Sequence, residues 1–167
     1  MLTQPCITRA SRLAVFTFLA LLASARPASA DLTAFLGVTT TPENRTVRGL
    51  AGGFGLLIVA FEFEYASTSE DETEALPALR TWSGNALLQT PAAISGVQLY
   101  GTAGIGAYRE ELANVRETST ALNIGGGVKI PLLGPLRLRL DYRVFRLSGA
   151  PLHQSYQRFY AGANLKF

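Results

Sequence analysis

Leu136 to Val144 reads LRLRLDYRV. Leu136, Leu138, Leu140, Tyr142 and Val144 alternate with Arg137, Arg139, Asp141 and Arg143. A helix would scatter the arginines around its circumference, whereas a strand gathers all of them on one face. The stretch is therefore a strand, apolar on one side and charged on the other.

The same period of two recurs along the chain. At the C-terminal end Phe159, Ala161, Ala163, Leu165 and Phe167 oppose Arg158, Tyr160, Gly162, Asn164 and Lys166. In VAFEFEY, Val59, Phe61, Phe63 and Tyr65 oppose Ala60, Glu62 and Glu64. Leu122, Ile124, Gly126, Val128 and Ile130 oppose Ala121, Asn123, Gly125, Gly127 and Lys129, and Leu99, Ala103, Ile105 and Ala107 oppose Tyr100, Thr102 and Tyr108. With weaker segments near residues 32–38, 48–56 and 80–90, the chain reads as eight strands: 32–39, 47–56, 58–67, 80–90, 96–109, 118–130, 135–146 and 156–167. The run from Arg48 to Ala66 must contain a turn, near Gly55 to Leu57. As one strand it would extend about 63 Å, roughly twice what a tilted membrane strand needs.

The connections alternate in length. TTPENRT, STSEDETEALPAL, EELANVRETS and SGAPLHQS are long and polar; the turn near Leu56, TPAAIS and PLLG are short. In an up-and-down barrel every second connection lies at the same end, so long loops share one rim and short turns the other, with both termini on the short-turn side. That asymmetry is the habit of outer-membrane barrels.

The first thirty residues are of another kind. Arg9 and Arg12 precede the apolar run LAVFTFLALLASA, and Ala28-Ser29-Ala30 follows. This is the build of a secretory signal peptide over residues 1–30, cleaved after Ala30, leaving a barrel domain of residues 31–167. The apolar run is too short to span a bilayer as a helix, which needs roughly 20 residues. The whole chain carries 15 basic and 12 acidic residues. Removing Arg9, Arg12 and Arg26 with the leader leaves twelve of each, a net charge of zero. A nucleic-acid partner loses its support. Cys6 also leaves, which excludes disulfides, cysteine-ligated metal and a thiol nucleophile from the mature chain. No cofactor is expected.

Alternation alone does not separate a lipid-facing barrel from a soluble, exported lipocalin-like binder. The polar faces carry mixed-sign charges, and Tyr100, Tyr108 and Tyr160 on them suit a packed, hydrogen-bonded lumen. The apolar faces carry no charge at mid-strand. The chain closes on FYAGANLKF. This resembles the terminal strand of bacterial outer-membrane proteins, in which a final aromatic and alternating apolar residues are read by the barrel-assembly machinery. With the leader and the eight strands, the mature chain resembles the small OmpA/OmpX-type outer-membrane barrels, porin-like in architecture. The resemblance implies an all-β, eight-stranded antiparallel transmembrane barrel in the outer membrane of a Gram-negative envelope. It further implies periplasmic termini, outer-membrane lipid as surroundings, a monomeric state, and Phe159, Leu165 and Phe167 as the assembly signal.

Strands three and seven stand four apart in a ring of eight, so Glu62 and Glu64 face Arg137, Arg139 and Arg143 across a lumen just wide enough to be filled by side chains. The expected lumen network is Glu62, Glu64, Lys129, Arg137, Arg139, Asp141, Arg143, Arg158 and Lys166, its charges compensating one another because an unpaired buried charge is expensive. The expected role is structural or surface-interacting, with the lumen plugged. The alternative is a passive channel or small-molecule site, as in OmpW-like barrels.

Other features read as ordinary parts of such a barrel. The acids Glu70, Asp71, Glu72 and Glu74 read as a solvated loop without calcium-loop spacing. His153 and Ser155 form an H-x-S resembling that of the outer-membrane lipid A deacylases, but residues 156–167 supply no acid to orient the base, so no enzyme is expected. Gly125 to Gly127 read as strand glycines allowing close approach. Tyr65, Trp82, Tyr108, Phe145 and Tyr156, at strand ends near the long loops, are expected to form an interfacial girdle.

Overall fold

The computed structural model describes residues 29–40, 43–56, 58–70, 76–90, 96–112, 115–151 and 153–167. They form eight strands: β1 (Ser29–Thr39), β2 (Arg45–Leu56), β3 (Val59–Thr68), β4 (Ala78–Gln89), β5 (Gln98–Leu112), β6 (Val115–Leu133), β7 (Leu136–Leu147) and β8 (Ser155–Lys166). Each pairs antiparallel with its chain neighbours, and β8 returns to β1, closing an up-and-down barrel. The closing seam runs from Asp31 opposite Lys166 to Thr39 opposite Arg158, and the Phe167 N–H donates to the Ala30 carbonyl at 2.8 Å. Closure leaves no sheet edge unpaired, the condition for strands to cross hydrocarbon.

Polarity is inverted relative to a water-soluble protein. The outward faces carry Leu36, Phe63, Leu88, Ile105, Ile124 and Phe159, each half or more exposed. The inward faces bury Glu62, Glu64, Lys129, Arg139, Asp141, Arg143 and Arg158. A soluble barrel would bury the first set and wet the second, which disfavours the lipocalin-like alternative.

Inward glycines make room for this filling. A Cβ on Gly125 would meet the Tyr142 carbonyl oxygen at 2.1 Å and the Arg143 Cα at 2.8 Å; one on Gly127 would meet the Tyr100 hydroxyl at 2.4 Å. The close approach expected of these glycines is what lets arginine and tyrosine side chains share so narrow an interior.

Three connections differ from expectation. EELANVRETS is not a loop: β5 runs to Leu112 and β6 begins at Val115, leaving two residues between them. Glu111 pairs with Arg116 in register, and the two side chains form an ion pair at 2.6 Å. Its polarity is that of a hairpin reaching beyond the apolar band, where strands can be polar on both faces. TPAAIS lies within a longer connection, since β4 ends at Gln89 and β5 starts at Gln98; residues 91–95 are outside the described residues. PLLG largely joins β6, leaving a tight turn at Gly134, whose φ of 54° suits glycine. The turn expected near Gly55 to Leu57 falls between Leu56 and Val59.

β1 begins at Ser29, so Ser29 and Ala30 lie in the strand, opposite Gly55 and Phe54. The rest of the expected leader is outside the described residues.

Candidate functional site in the barrel interior

The interior is organised around β7. Its inward positions are Arg139, Asp141 and Arg143, and inward β3 positions Glu62 and Glu64 reach them from across the barrel. The Arg139 guanidinium pairs with the Glu62 carboxylate through two hydrogen bonds, one of them, from Nη2 to Oε1, at 3.1 Å. Its Nε donates to the Tyr100 hydroxyl at 2.7 Å and its Nη2 to Asp141 at 3.0 Å. Arg143 donates to Glu62 and to Asp141, each at 2.9 Å. Its Nη1 lies 3.2 Å from Glu64 but is not aligned for a hydrogen bond. Arg158, on β8, donates to Glu64 at 2.8 Å and to the Thr81 hydroxyl at 3.0 Å.

Three guanidinium groups thus meet three carboxylates. Tyrosines stitch the set together: Tyr100 donates to Asp141 at 2.5 Å and Tyr160 donates to the same carboxylate oxygen at 3.0 Å. Charged hydrogen bonds of this kind are the stronger ones, and a low dielectric strengthens them further. Arg139 and Arg143 have no exposed surface, so solvent does not reach them.

Layers on either side complete the filling. Toward the rim carrying the termini, Lys129 pairs with Asp31 at 2.5 Å. Ala60, Leu87 and Tyr100 pack as an apolar cluster. Toward the opposite rim Leu79, Tyr108, Phe145, Leu147 and Tyr156 form a larger one. There the Phe145 and Tyr156 rings stack at 4.7 Å, and the Arg158 guanidinium lies 4.4 Å from the Phe145 centroid. The Tyr108 hydroxyl donates to the Ser148 carbonyl at 2.7 Å, tying this layer to the β7–β8 connection.

Seven of the nine charges expected in the lumen are buried inside it. Two are not. Lys166 is exposed at the end of β8, because its inward-pointing position falls at the open mouth. Arg137 is half-buried at the same rim, donating to the Gln98 side chain at 3.0 Å, because it precedes the narrow part of the barrel.

The aromatic girdle is also corrected. Tyr65 and Trp82 face outward as a tilted pair 5.6 Å apart, but Tyr108, Phe145 and Tyr156 face inward and are buried. Each shares the parity of a buried charged residue on its own strand, Glu110, Arg143 and Arg158 respectively, and parity decides the face. His153 and Ser155 are both exposed on the loop rim, away from the buried carboxylates. Residues 71–75, with most of the acidic run, are outside the described residues.

Several participants carried no signal in the sequence. Asp31 looked like the first residue after cleavage, and Thr33, Thr81, Asn85, Asn123 and Asn164 are short polar side chains of ordinary strand type. Only their parity marked them as inward. Asn123 donates to Asn85 at 2.9 Å and Asn164 to Thr33 at 2.9 Å.

A closed eight-stranded antiparallel barrel with apolar side chains outside has the fold of the small outer-membrane barrels. Solved structures of that class match over nearly their whole length. The N-terminal barrel domain of Pseudomonas aeruginosa OprF shares 18% identity over 83% of this chain and 97% of its own, with a TM-score of 0.62. Neisserial surface protein A shares 14% over 86% and 97%, with a TM-score of 0.65. The outer membrane enzyme PagL shares 12% over 81% and 98%, with a TM-score of 0.52. No protein-family model and no curated protein sequence matches the chain. The likeness is one of fold.

Proposed function

We propose that this protein is an exported outer-membrane barrel with a structural or surface-interaction role and no chemistry of its own, its lumen plugged by its own side chains. The observation carrying this reading is the net of Arg139, Arg143 and Arg158 with Glu62, Glu64 and Asp141. Each guanidinium and each carboxylate has an opposite charge within the net, so no charge is left over to draw an ion through. The apolar layers on both sides support the same reading.

In this proposal residues 1–30 direct export and are cleaved after Ala30, the termini are periplasmic, and the long connections face outward from the cell. The barrel-assembly machinery reads Phe159, Leu165 and Phe167. Phe159 and Leu165 lie on the exposed outer face of β8 and Phe167 is exposed just beyond its end, where a receptor can reach them before the seam closes.

The test is planar-bilayer conductance of the purified, refolded protein, with membrane fractionation alongside. A sealed barrel leaves the bilayer at baseline and requires detergent for extraction. Large, stable openings would overturn the plug and favour the channel alternative; a protein soluble without detergent would overturn the membrane reading.

A further inference from the structure

The exterior wall carries charge at one height. Arg48 on β2 stands opposite Ser67 on β3, Ser67 opposite Arg80 on β4, and Arg80 opposite Arg109 on β5. All are outward positions at the loop rim, so three arginines lie in one lateral row across four adjacent strands. One rung closer to the middle of the barrel, Leu50, Tyr65, Trp82 and Ala107 form the next row. A tyrosine–tryptophan pair at that height marks a boundary between lipid and water.

Arg80 directly opposite Arg109 is a like-charge cross-strand pair, which is destabilising unless an anion intervenes. Glu111 lies 3.8 Å from Arg80 but is held more closely, at 2.6 Å, by Arg116. Arg48 and Arg109 face no carboxylate across a strand, their partners being Leu36, Ser67, Arg80 and Thr118, so among the described cross-strand pairs the row carries more positive than negative charge. Beneath it the wall is grooved. A groove of about 600 Å³ runs between Leu36, Leu50 and Tyr65 with Arg48 and Arg80 beside it. A second, of about 690 Å³, lies lower on the wall over Gly52, Gly84, Ala86 and Ala103 between Phe63 and Leu122. A cationic row above apolar troughs matches a molecule with an anionic head and acyl chains.

We propose that Arg48, Arg80 and Arg109 form a docking row for the phosphorylated sugar head of the outer-leaflet glycolipid, lipid A, whose acyl chains lie in the two grooves below. Arginine suits this because its fork of N–H donors matches phosphate oxygens. A phosphate between Arg80 and Arg109 would also relieve their mutual repulsion. The proposal rests on the outer-membrane reading above, which puts the loop rim in the outer leaflet.

Native mass spectrometry of the refolded protein in detergent micelles tests it, using bisphosphorylated lipid A, dephosphorylated lipid A and phosphatidylglycerol as separate probes. The unaltered protein is expected to prefer bisphosphorylated lipid A, and R80Q/R109Q to bind it about tenfold more weakly, the loss of one or two charged hydrogen bonds. R80K/R109K, which keeps the charge but loses the fork of donors, is expected to bind between the unaltered protein and R80Q/R109Q, and R146Q, an exposed arginine outside the row, to retain all of the binding. Equal binding of dephosphorylated lipid A or of phosphatidylglycerol would overturn the assignment, as would an equal loss in R146Q. Heat-modifiable gel migration of each sample reports the folded barrel separately. A chain soluble without detergent overturns the membrane reading, whereas a folded, detergent-dependent barrel indifferent to lipid phosphate overturns the arginine row alone.

Discussion

Arg139 and Glu62 lie on strands four apart in a ring of eight, and their side chains meet in a double hydrogen bond near the middle of the interior. Neither lies in a turn or a local motif; 77 residues separate them along the chain. The pair spans the diameter of the barrel, so it couples two walls that share no backbone hydrogen bond. Arg143 repeats the connection through Glu62 and Glu64.

Glu62→Gln removes one carboxylate from a net whose charges balance, leaving Arg139 and Arg143 short of a counter-charge. Breaking a buried pair in this way costs about 3–5 kcal/mol. Urea unfolding in lipid vesicles is expected to show a loss of that size. Adding Arg139→Leu to Glu62→Leu is expected to cost less than the sum of the single changes, by about 1–3 kcal/mol, because the two residues are coupled. Strict additivity would mean that the cross-barrel pair contributes nothing.

Gly125→Val tests the close approach. Its side chain would enter space held by the Tyr142 carbonyl and the Arg143 backbone, which cannot move without breaking the β6–β7 pairing. Overpacking a core typically costs about 1–3 kcal/mol, and contact with backbone lies at or above the upper end. Folding yield, read by heat-modifiable migration, is expected to collapse. Gly52→Ala is the contrast: the nearest atom to its added Cβ is a leucine methyl at 3.7 Å, so folding should be unchanged.

Much of this fold is legible because side chains along a regular strand alternate between the two faces. The arginines of LRLRLDYRV could share only one face, and Glu62 and Glu64 could share only another. Expectation and structure part where another cue competes with parity. A place beside a loop points Tyr108, Phe145 and Tyr156 outward, but Tyr108 also lies on the polar face that suits the lumen, and each has the parity of a charged inward neighbour: Glu110, Arg143 and Arg158. Polarity makes Glu111 and Arg116 read as loop, yet beyond the apolar band a hairpin can be polar on both faces. Lys166 has inward parity and is still exposed, because alternation says nothing about where the barrel opens. The hydrogen-bonding partners Thr33, Asn85 and Asn164 were silent, since short uncharged side chains announce no partner.

Processing after Ala30 is expected to leave Asp31 as the first residue. The seam pairs from Asp31 to Thr39 and the Asp31–Lys129 ion pair survive this cut, while Ser29, Ala30 and the carbonyl accepting from Phe167 are lost. Intact mass of the protein recovered from membranes should match a chain beginning at Asp31. Replacing the small residues with A28L/A30L should retain the precursor mass. A mature chain that begins before Ser29 would show that both residues belong to the working barrel.

Phe63 provides the most direct test of what surrounds the wall. It occupies the middle of β3, points outward and is 59% exposed. If water surrounded it, Phe63→Arg would be neutral or stabilising, because an exposed phenyl ring would be exchanged for a solvated charge. If lipid surrounds it, arginine at the bilayer midplane costs about 2–4 kcal/mol, and the same residue near an interface about 0–1. Thr46→Arg, at an exposed outward position of β2 by the loop rim and opposite the uncharged Val38, supplies the interfacial comparison. Folding free energies in lipid vesicles are expected to separate the two variants by about 2–3 kcal/mol, with Phe63→Arg the less stable. Equal stabilities would place the middle of β3 in water and leave the apolar coat without a solvent to match it.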